Sequence, residues 1–343
     1  MKIVTFGELL LRFCPPGHLR FSQAGSYEVS VGGAEANVAM SLAQFGDQVS
    51  YVSAIPNNDL GFTALREVNK WGVNTDHVKV GGDKMGLYFL EKGASLRGGN
   101  IIYDRAGSAF SEVNADTYNW EEILEGADWF HWTGITPAVS AGAAEATARA
   151  IKIARERKIP VSCDLNYRSK LWKYGLEPKE VMPGLIQNTN IVLANEEDVA
   201  KYLGIVPQES NYEELEGFGK RSYSFISRMV HARFPHMHSV ITTLRQTINA
   251  SHNRWSGVVY NGTEFFHGQV HDISAIVDRV GGGDAFMAAF IHAKLKYRDL
   301  EKALNFGLAA AALKLSIPGD YNVVTEAEVD QLVGKQGVSM LSR

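Results

Sequence analysis

Residues 278–286, Asp278-Arg279-Val280-Gly281-Gly282-Gly283-Asp284-Ala285-Phe286, decide how the rest of this 343-residue chain is read. Three consecutive glycines leave the backbone free to take φ > 0 and to bring its N–H groups close to a ligand. The segment Ala285 to Leu295 that follows contains strong helix formers with no glycine or proline, which predicts a mostly buried helix. Its N-terminus falls at Gly283-Asp284, where unpaired N–H groups and about half a positive charge suit a phosphate.

Asp284 has two readings. A helix start favours a carboxylate as a plain cap, yet a cap requires no glycine loop ahead of it. Beside a phosphate-cradling loop the same carboxylate can take the proton of a hydroxyl attacking a γ-phosphate. Two other phosphate motifs are missing: no G-x-x-x-x-G-K-[ST] occurs, and no G-x-G-x-x-G follows the first strand.

The stretch resembles the D-T-x-G-A-G-D-[AS]-F signature of ribokinase-like (PfkB) carbohydrate kinases, with Arg279 and Gly282 in place of Thr and Ala. The resemblance implies an α/β fold, a ribokinase-like three-layer α/β/α sandwich with a central mostly parallel sheet and a small β-sheet lid. It also implies ATP as co-substrate with Mg²⁺, Asp284 as catalytic base, and the amides of Gly281, Gly282 and Gly283 as an anion hole.

Outward from this stretch the pattern agrees. Short apolar runs such as Lys2 to Phe6, Val49 to Ile55, Asp128 to Gly134, Pro160 to Cys163 and Ile191 to Ala194 alternate with helical segments, as in a parallel sheet with crossovers. Two turn-rich, alternating insertions, about 9–31 and 78–110, predict a lid on one kinase domain spanning 1–343. Residues Tyr212 to Arg233 read as a helix, Ser239 to Thr243 as a strand, and Trp255 to His267 as a hairpin around Asn261-Gly262.

Gly32-Gly33-Ala34-Glu35-Ala36-Asn37 opens the first helix. A glycine pair there is also an ordinary turn, but it resembles the family's G-G-x-x-x-N-x-A signature, which implies that Gly33 and Asn37 contact sugar hydroxyls. Arg105, in Tyr103-Asp104-Arg105-Ala106, is either a solvated strand-end charge or, beside a sugar, a bidentate fork for a carboxylate. Tyr88 lines the same wall or simply packs. Asp164-Leu165-Asn166-Tyr167-Arg168 follows a strand, where an open parallel sheet places its ligands.

Asn195-Glu196-Glu197-Asp198 is explained as well by helix-dipole preference as by the family's N-x-x-E motif, which orders water around Mg²⁺; Asp198 ends that motif one methylene short. Thr243-Leu244-Arg245-Gln246 stands where the family often has a glycine-rich nucleotide loop, and Gly307 where it often has Asn near the adenine. On the resemblance, the nucleotide side comprises Asn166, Arg168, Asn195, Thr243, Arg245, Gly281, Gly283 and Gly307.

Within the family these stretches are most similar to the 2-keto-3-deoxygluconate kinases, which implies that Tyr103, Arg105 and Arg168 hold a sugar acid and that Asp320 touches a hydroxyl. A buried, unpaired arginine is costly, and a carboxylated substrate resolves that cost where a neutral hexose does not. A fructokinase or other neutral-sugar kinase stays open. So does a non-catalytic sugar-binding regulator, because Asp198, Gly307 and the Thr243 stretch depart from the family pattern.

Composition sets the outer bounds. With 45% hydrophobic and 21% charged residues the chain can bury a substantial core, and a net charge of −4 speaks against nucleic acid or an anionic membrane as partner. Cys14 and Cys163 are isolated, so reduced thiols and no structural zinc are expected. No targeting segment is evident and no apolar run approaches ~18 residues, which predicts a cytoplasmic protein. The exposed edges of a lid sheet predict a homodimer.

Overall fold

The computed structural model describes residues 1–334. Its strands are β1 (Lys2–Phe6), β2 (Leu10–Cys14), β3 (Glu28–Gly32), β4 (Gln48–Ile55), β5 (Val78–Val80), β6 (Gly86–Glu91), β7 (Asn100–Asp104) and β8 (Trp129–Thr133). There follow β9 (Val161–Asp164), β10 (Ile191–Leu193), β11 (Glu213–Leu215), β12 (Gly219–Arg221), β13 (Ser239–Asn249), β14 (His252–Tyr260), β15 (Phe265–His267) and β16 (His271–Ile273). The helices are α1 (Ala34–Gln44), α2 (Asp59–Lys70), α3 (Trp120–Ile123), α4 (Thr136–Val139), α5 (Ala141–Glu156) and α6 (Pro178–Ile186). After them come α7 (Glu196–Leu203), α8 (Tyr223–Arg233), α9 (Gly282–Tyr297), α10 (Leu300–Lys314) and α11 (Glu326–Gly334).

The main sheet runs β15-β14-β13-β10-β9-β8-β1-β4-β5, with β16 also on β14. From β5 to β13 every pairing is parallel, and β14, β15 and β16 add an antiparallel edge. Strands buried on both faces need no polar alternation. Ile3, Val49, Ile191 and Ile241 pack with α1, α2, α9 and α10, while their neighbours Val4, Val52, Val192 and Val240 pack with α5 to α8. The result is the three-layer α/β/α architecture that the resemblance implied.

A separate four-stranded sheet, β3-β2-β6-β7, covers the carboxyl ends of the main sheet. Its register puts Ser30, Arg12, Tyr88 and Tyr103 in one row and Val29, Phe13, Phe89 and Ile102 in the next. Because side chains alternate faces, one row looks inward and the other outward. The β2 and β6 strands pair in parallel, and Val78–Val80 joins β4 at the edge of the main sheet instead of the lid.

Two local expectations change. The span 212–233 is not one helix: Gly217 and Gly219 take φ of +77° and +70°, and 213–221 folds into a hairpin whose register sets Glu213 against Arg221 and Glu214 against Lys220. Only Tyr223–Arg233 is helical. The strand expected to stop at Thr243 runs on to Asn249, and β13 and β14 together form a long hairpin.

Candidate active site

Helix α9 is apolar almost all round and buried from Ala285 to Ala293, so its N-terminus is fixed by the core. Gly281 caps it in the left-handed region at φ +79°, and a β-carbon there would fall 1.6 Å from the Asp320 carbonyl oxygen. Gly282 is under no such pressure: an added β-carbon would meet only Leu315, at 3.4 Å. That is why alanine is acceptable at the second glycine of the signature and not at the first.

Asp284 lies in the first turn of α9, 8% exposed, on the wall of a cavity of about 690 Å³. Its Oδ2 accepts from Asn37 Nδ2 at 2.7 Å. Burial pushes the carboxyl up to about 6, with the Asn37 hydrogen bond opposing the rise. At neutral pH it is therefore ionised and close to the range in which a carboxylate works as a general base. Gly281, Gly282 and Gly283 line the same cavity, as do Gly33, Asn37, Tyr88, Tyr103, Arg105, Asn166, Arg168, Arg245 and Asp320.

Further side chains on the wall or just behind it complete the site, and of these only the Asp164 stretch was singled out in the sequence. Glu8, after β1, receives Arg105 Nε at 2.6 Å, and both residues are buried. Arg12, on the inward row of the lid, pairs with Asp320 at 2.7 Å and with Asp278 at 2.6 Å; the Tyr88 hydroxyl donates to the other Asp320 oxygen. Glu35 accepts from the Thr133 amide and from the Thr133 and Thr136 hydroxyls, and burial raises its carboxyl to about 7. Asp164, at the end of β9, is raised well above the carboxylate range by burial, with Asp198 and Asp284 adding to the rise. A lone arginine inside the apolar run Leu10-Leu11-Arg12-Phe13-Cys14 marks a buried charge in need of partners without saying which they are.

Two cavity residues with assigned roles also have protein partners. Glu8 holds the Arg105 Nε, one of the three nitrogens of that guanidinium. Asp320 has both oxygens engaged, one by Arg12 and the other by Tyr88.

Four of the expected nucleotide and metal residues do not line the cavity: Asn195, Asp198, Thr243 and Gly307. Asn195 caps α7, accepting from the Asp198 amide at 2.9 Å. Asp198 in turn accepts from the Tyr167 and Asn195 amides at 2.8 and 3.1 Å, so both its oxygens are spent on backbone. Gly307 lets α10 approach α9, where a β-carbon would sit 3.0 Å from the Phe286 ring. Thr243 is an ordinary strand residue of β13. Arg279, where the signature has Thr, grips the turn of the β13–β14 hairpin through the Ala250 and Asn249 carbonyls. That turn meets the lid, with Ala250 N donating to Ser95 O at 2.7 Å.

Among the described residues no helix is long and apolar enough to cross a membrane. Comparison with known proteins follows the same lines as the geometry. Residues 2–215 and 255–328 match the model of the pfkB family carbohydrate kinases. The 2-dehydro-3-deoxygalactonokinase of Haloferax volcanii is 32% identical over 97% of this chain and 96% of its own length. The 2-dehydro-3-deoxygluconokinase of Thermoproteus tenax is 27% identical over 93% of this chain and 90% of its own length. The crystal structure of the 2-dehydro-3-deoxygluconokinase of Thermotoga maritima superposes with a TM-score of 0.90 at 41% identity, covering 98% of this chain and all of the other. A glycine-capped helix with a buried carboxylate on a cavity under a lid, and a family match over most of the length, lead to one conclusion: this chain belongs to the pfkB family of carbohydrate kinases.

Proposed function

We propose that this kinase transfers the γ-phosphoryl group of ATP to the 6-hydroxyl of 2-keto-3-deoxygluconate, giving 2-keto-3-deoxy-6-phosphogluconate and ADP. One observation carries the reading of the site as a sugar pocket: two buried acceptors on the cavity wall, Glu8 Oε1 and Asn37 Oδ1, have no partner among the described residues. A buried unpaired acceptor costs about 1–3 kcal/mol, and a polyhydroxy ligand supplies the missing donors. Asn37 then spans both partners, its amide nitrogen on Asp284 and its oxygen toward the sugar.

In this scheme Asp284 takes the proton of the attacking hydroxyl, and the amides at Gly281 to Gly283 receive the developing phosphoryl charge. Arg168 and Arg245 line the cavity without an acidic partner within salt-bridge distance among the described residues, and they suit phosphate or carboxylate oxygens. Among the described residues no group of three or more His, Cys, Asp or Glu side chains is placed to hold a metal ion. Mg²⁺ commonly binds with phosphates and one or two carboxylates, and Asp164 on the cavity wall fits that part better than Asp198. When bound, the ion would neutralise charge on the phosphates.

The Arg105–Glu8 pair favours a second reading. With Arg105 already partnered, a neutral sugar leaves no buried charge uncompensated, so a fructokinase also fits. A panel of 2-keto-3-deoxygluconate, its galacto epimer, fructose, ribose and gluconate, followed by ADP release, tests the choice. The acid-sugar reading requires kcat/KM for a 2-keto-3-deoxy acid at least ~100-fold above fructose, the scale of one charge-assisted clamp. Turnover of fructose alone sinks it, and no ADP with any sugar favours a regulator.

The outward lid row, with Val29 55% and Ile102 49% exposed, suits pairing with a second copy of the chain, and we place the dimer contact there. Cys14 and Cys163, both buried free thiols, suit a reducing cytoplasm.

A further inference from the structure

Lys314, the last residue of α10, has no exposed surface. Lysines ordinarily run their stems along apolar surface and keep the ammonium in water, so full enclosure needs acceptors. Here they are backbone carbonyls. Nζ lies 2.7 Å from Gly319 O, 3.3 Å from Ile317 O and 3.5 Å from Asp278 O. Two of these belong to the turn after α10, and the third opens the glycine loop. The nearby carboxylates Asp278 and Asp320 direct their short ion pairs to Arg12 instead.

The position has two physical consequences. Lys314 Cε stands 3.4 Å from where a β-carbon of Gly281 would be, so the stem supports the left-handed peptide that caps α9. The ammonium's hydrogen-bond acceptors are neutral carbonyls, and its charge reaches the Asp284 carboxyl at the start of α9. It already pulls the Asp284 carboxyl downward against the effect of burial. Burial in turn lowers the ammonium to about 8, with Asp278 and Asp320 opposing that shift and Arg12 adding to it. The enzyme holds a cation there at some cost in solvation.

We propose that Lys314 is a positioning residue for phosphoryl transfer: its carbonyl-caged ammonium joins the glycine loop to the 317–320 turn and supplies a fixed positive charge behind the anion hole, the service a monovalent cation would give. The proposal rests on the assignment of Gly281 to Gly283 as the anion hole. An ammonium and a potassium ion are similar in size and both accept a cage of carbonyl oxygens, so a tethered ammonium makes the free ion unnecessary.

Three measurements test it in the full-length enzyme. Replacing K⁺ by tetramethylammonium should leave wild-type turnover within about twofold, and wild-type activation by K⁺ overturns the proposal, because the cage would then be taking a free ion. Lys314→Met keeps the stem and removes the charge; its kcat should fall at least ~10-fold, the lower range for loss of one preorganised electrostatic group, with KM for the sugar little changed. Lys314→Ala should lose activity and regain at least ~5-fold of it in K⁺ or ammonium chloride, but not in tetramethylammonium chloride, as a restored charge requires.

A merely structural lysine would give no cation rescue. Full kcat in Lys314→Met, or a cooperatively folded Lys314→Ala that no small cation restores, overturns the proposal. If Lys314→Ala does not fold, the wild-type ion test and Lys314→Met decide. Failure of the underlying reading, that phosphoryl transfer takes place at the α9 N-terminus, shows separately, as undiminished turnover in Asp284→Asn.

Discussion

Asp284 and Asp198 both stand in the first turn of a helix, both are buried, and in both burial raises the carboxyl, yet they end in different chemistry. Asp198 is held by two backbone amides, one from its own cap and one from Tyr167 across the loop. Asp284 has a side-chain partner, Asn37, and faces a cavity. A carboxylate saturated by amides is a structural clamp, whereas one oriented through a single side chain keeps lone pairs for an incoming proton. The glycine loop ahead of α9, absent before α7, makes the difference, because it lets ligand atoms reach the helix end.

On the proposed mechanism, the largest expected effect comes from removing Asp284, the member of this pair assigned as base. Asp284→Asn should bind both substrates and turn over at least ~100-fold more slowly, as judged by steady-state kinetics and substrate titration. Near-normal turnover would erase the distinction. Gly281→Ala comes next: a residue at φ +79° with its β-carbon driven into the Asp320 carbonyl should lose at least about 2 kcal/mol of stability by denaturant melts. Gly282→Ala, by contrast, should change stability by less than about 1 kcal/mol.

Asp198→Asn should cost about 1–2 kcal/mol by turning an acceptor into a donor facing an amide, while kcat stays within about threefold. A large loss of kcat at intact stability would show that α7 takes part in the chemistry after all. The smallest effect is a shift in pH dependence. The base must be ionised, so kcat should decline as pH falls through about 6. Asn37→Ala removes the hydrogen bond that opposes burial and should move that limb to higher pH. The same raised carboxyl weakens folding: its contribution is favourable below the unfolded value and lost as pH rises through about 6, so Asp284→Asn should gain stability relative to wild type at pH 8 and not at pH 3.

Much of the fold was legible because it depends on local pattern. The apolar runs that became β1, β4, β8, β9 and β10 need burial on both faces, and residues 285–295 could be little other than a core helix. The Gly281 loop and Gly33 were legible for a related reason, since a backbone demand leaves a mark in the residue itself.

Long-range pairing leaves no such mark. Nothing near Arg105 announces Glu8, 97 positions away, and nothing near Arg12 announces Asp278 and Asp320. Gly307 fell beside the adenine by analogy, but a glycine in a helix serves equally to admit Phe286, and only the packing of α10 on α9 decides between these. The hairpin at 213–221 was masked by residues with fair helix propensity, which Gly217 and Gly219 overrule.

The two ion pairs of Arg12 have a mechanical consequence. They bolt the inner half of β2 to the segments around residues 278 and 320 with all three side chains 2% exposed, and losing both pairs together would leave Arg12 a buried, uncompensated charge at a cost of about 3–5 kcal/mol. A rigid swing of the covering sheet about its root would have to break both pairs. Past Arg12 the sheet is held more lightly, with a single backbone hydrogen bond from Ala250 to Ser95 joining the 92–99 loop to the β13–β14 turn, so the rim is the part of the cover with least to break when a sugar enters.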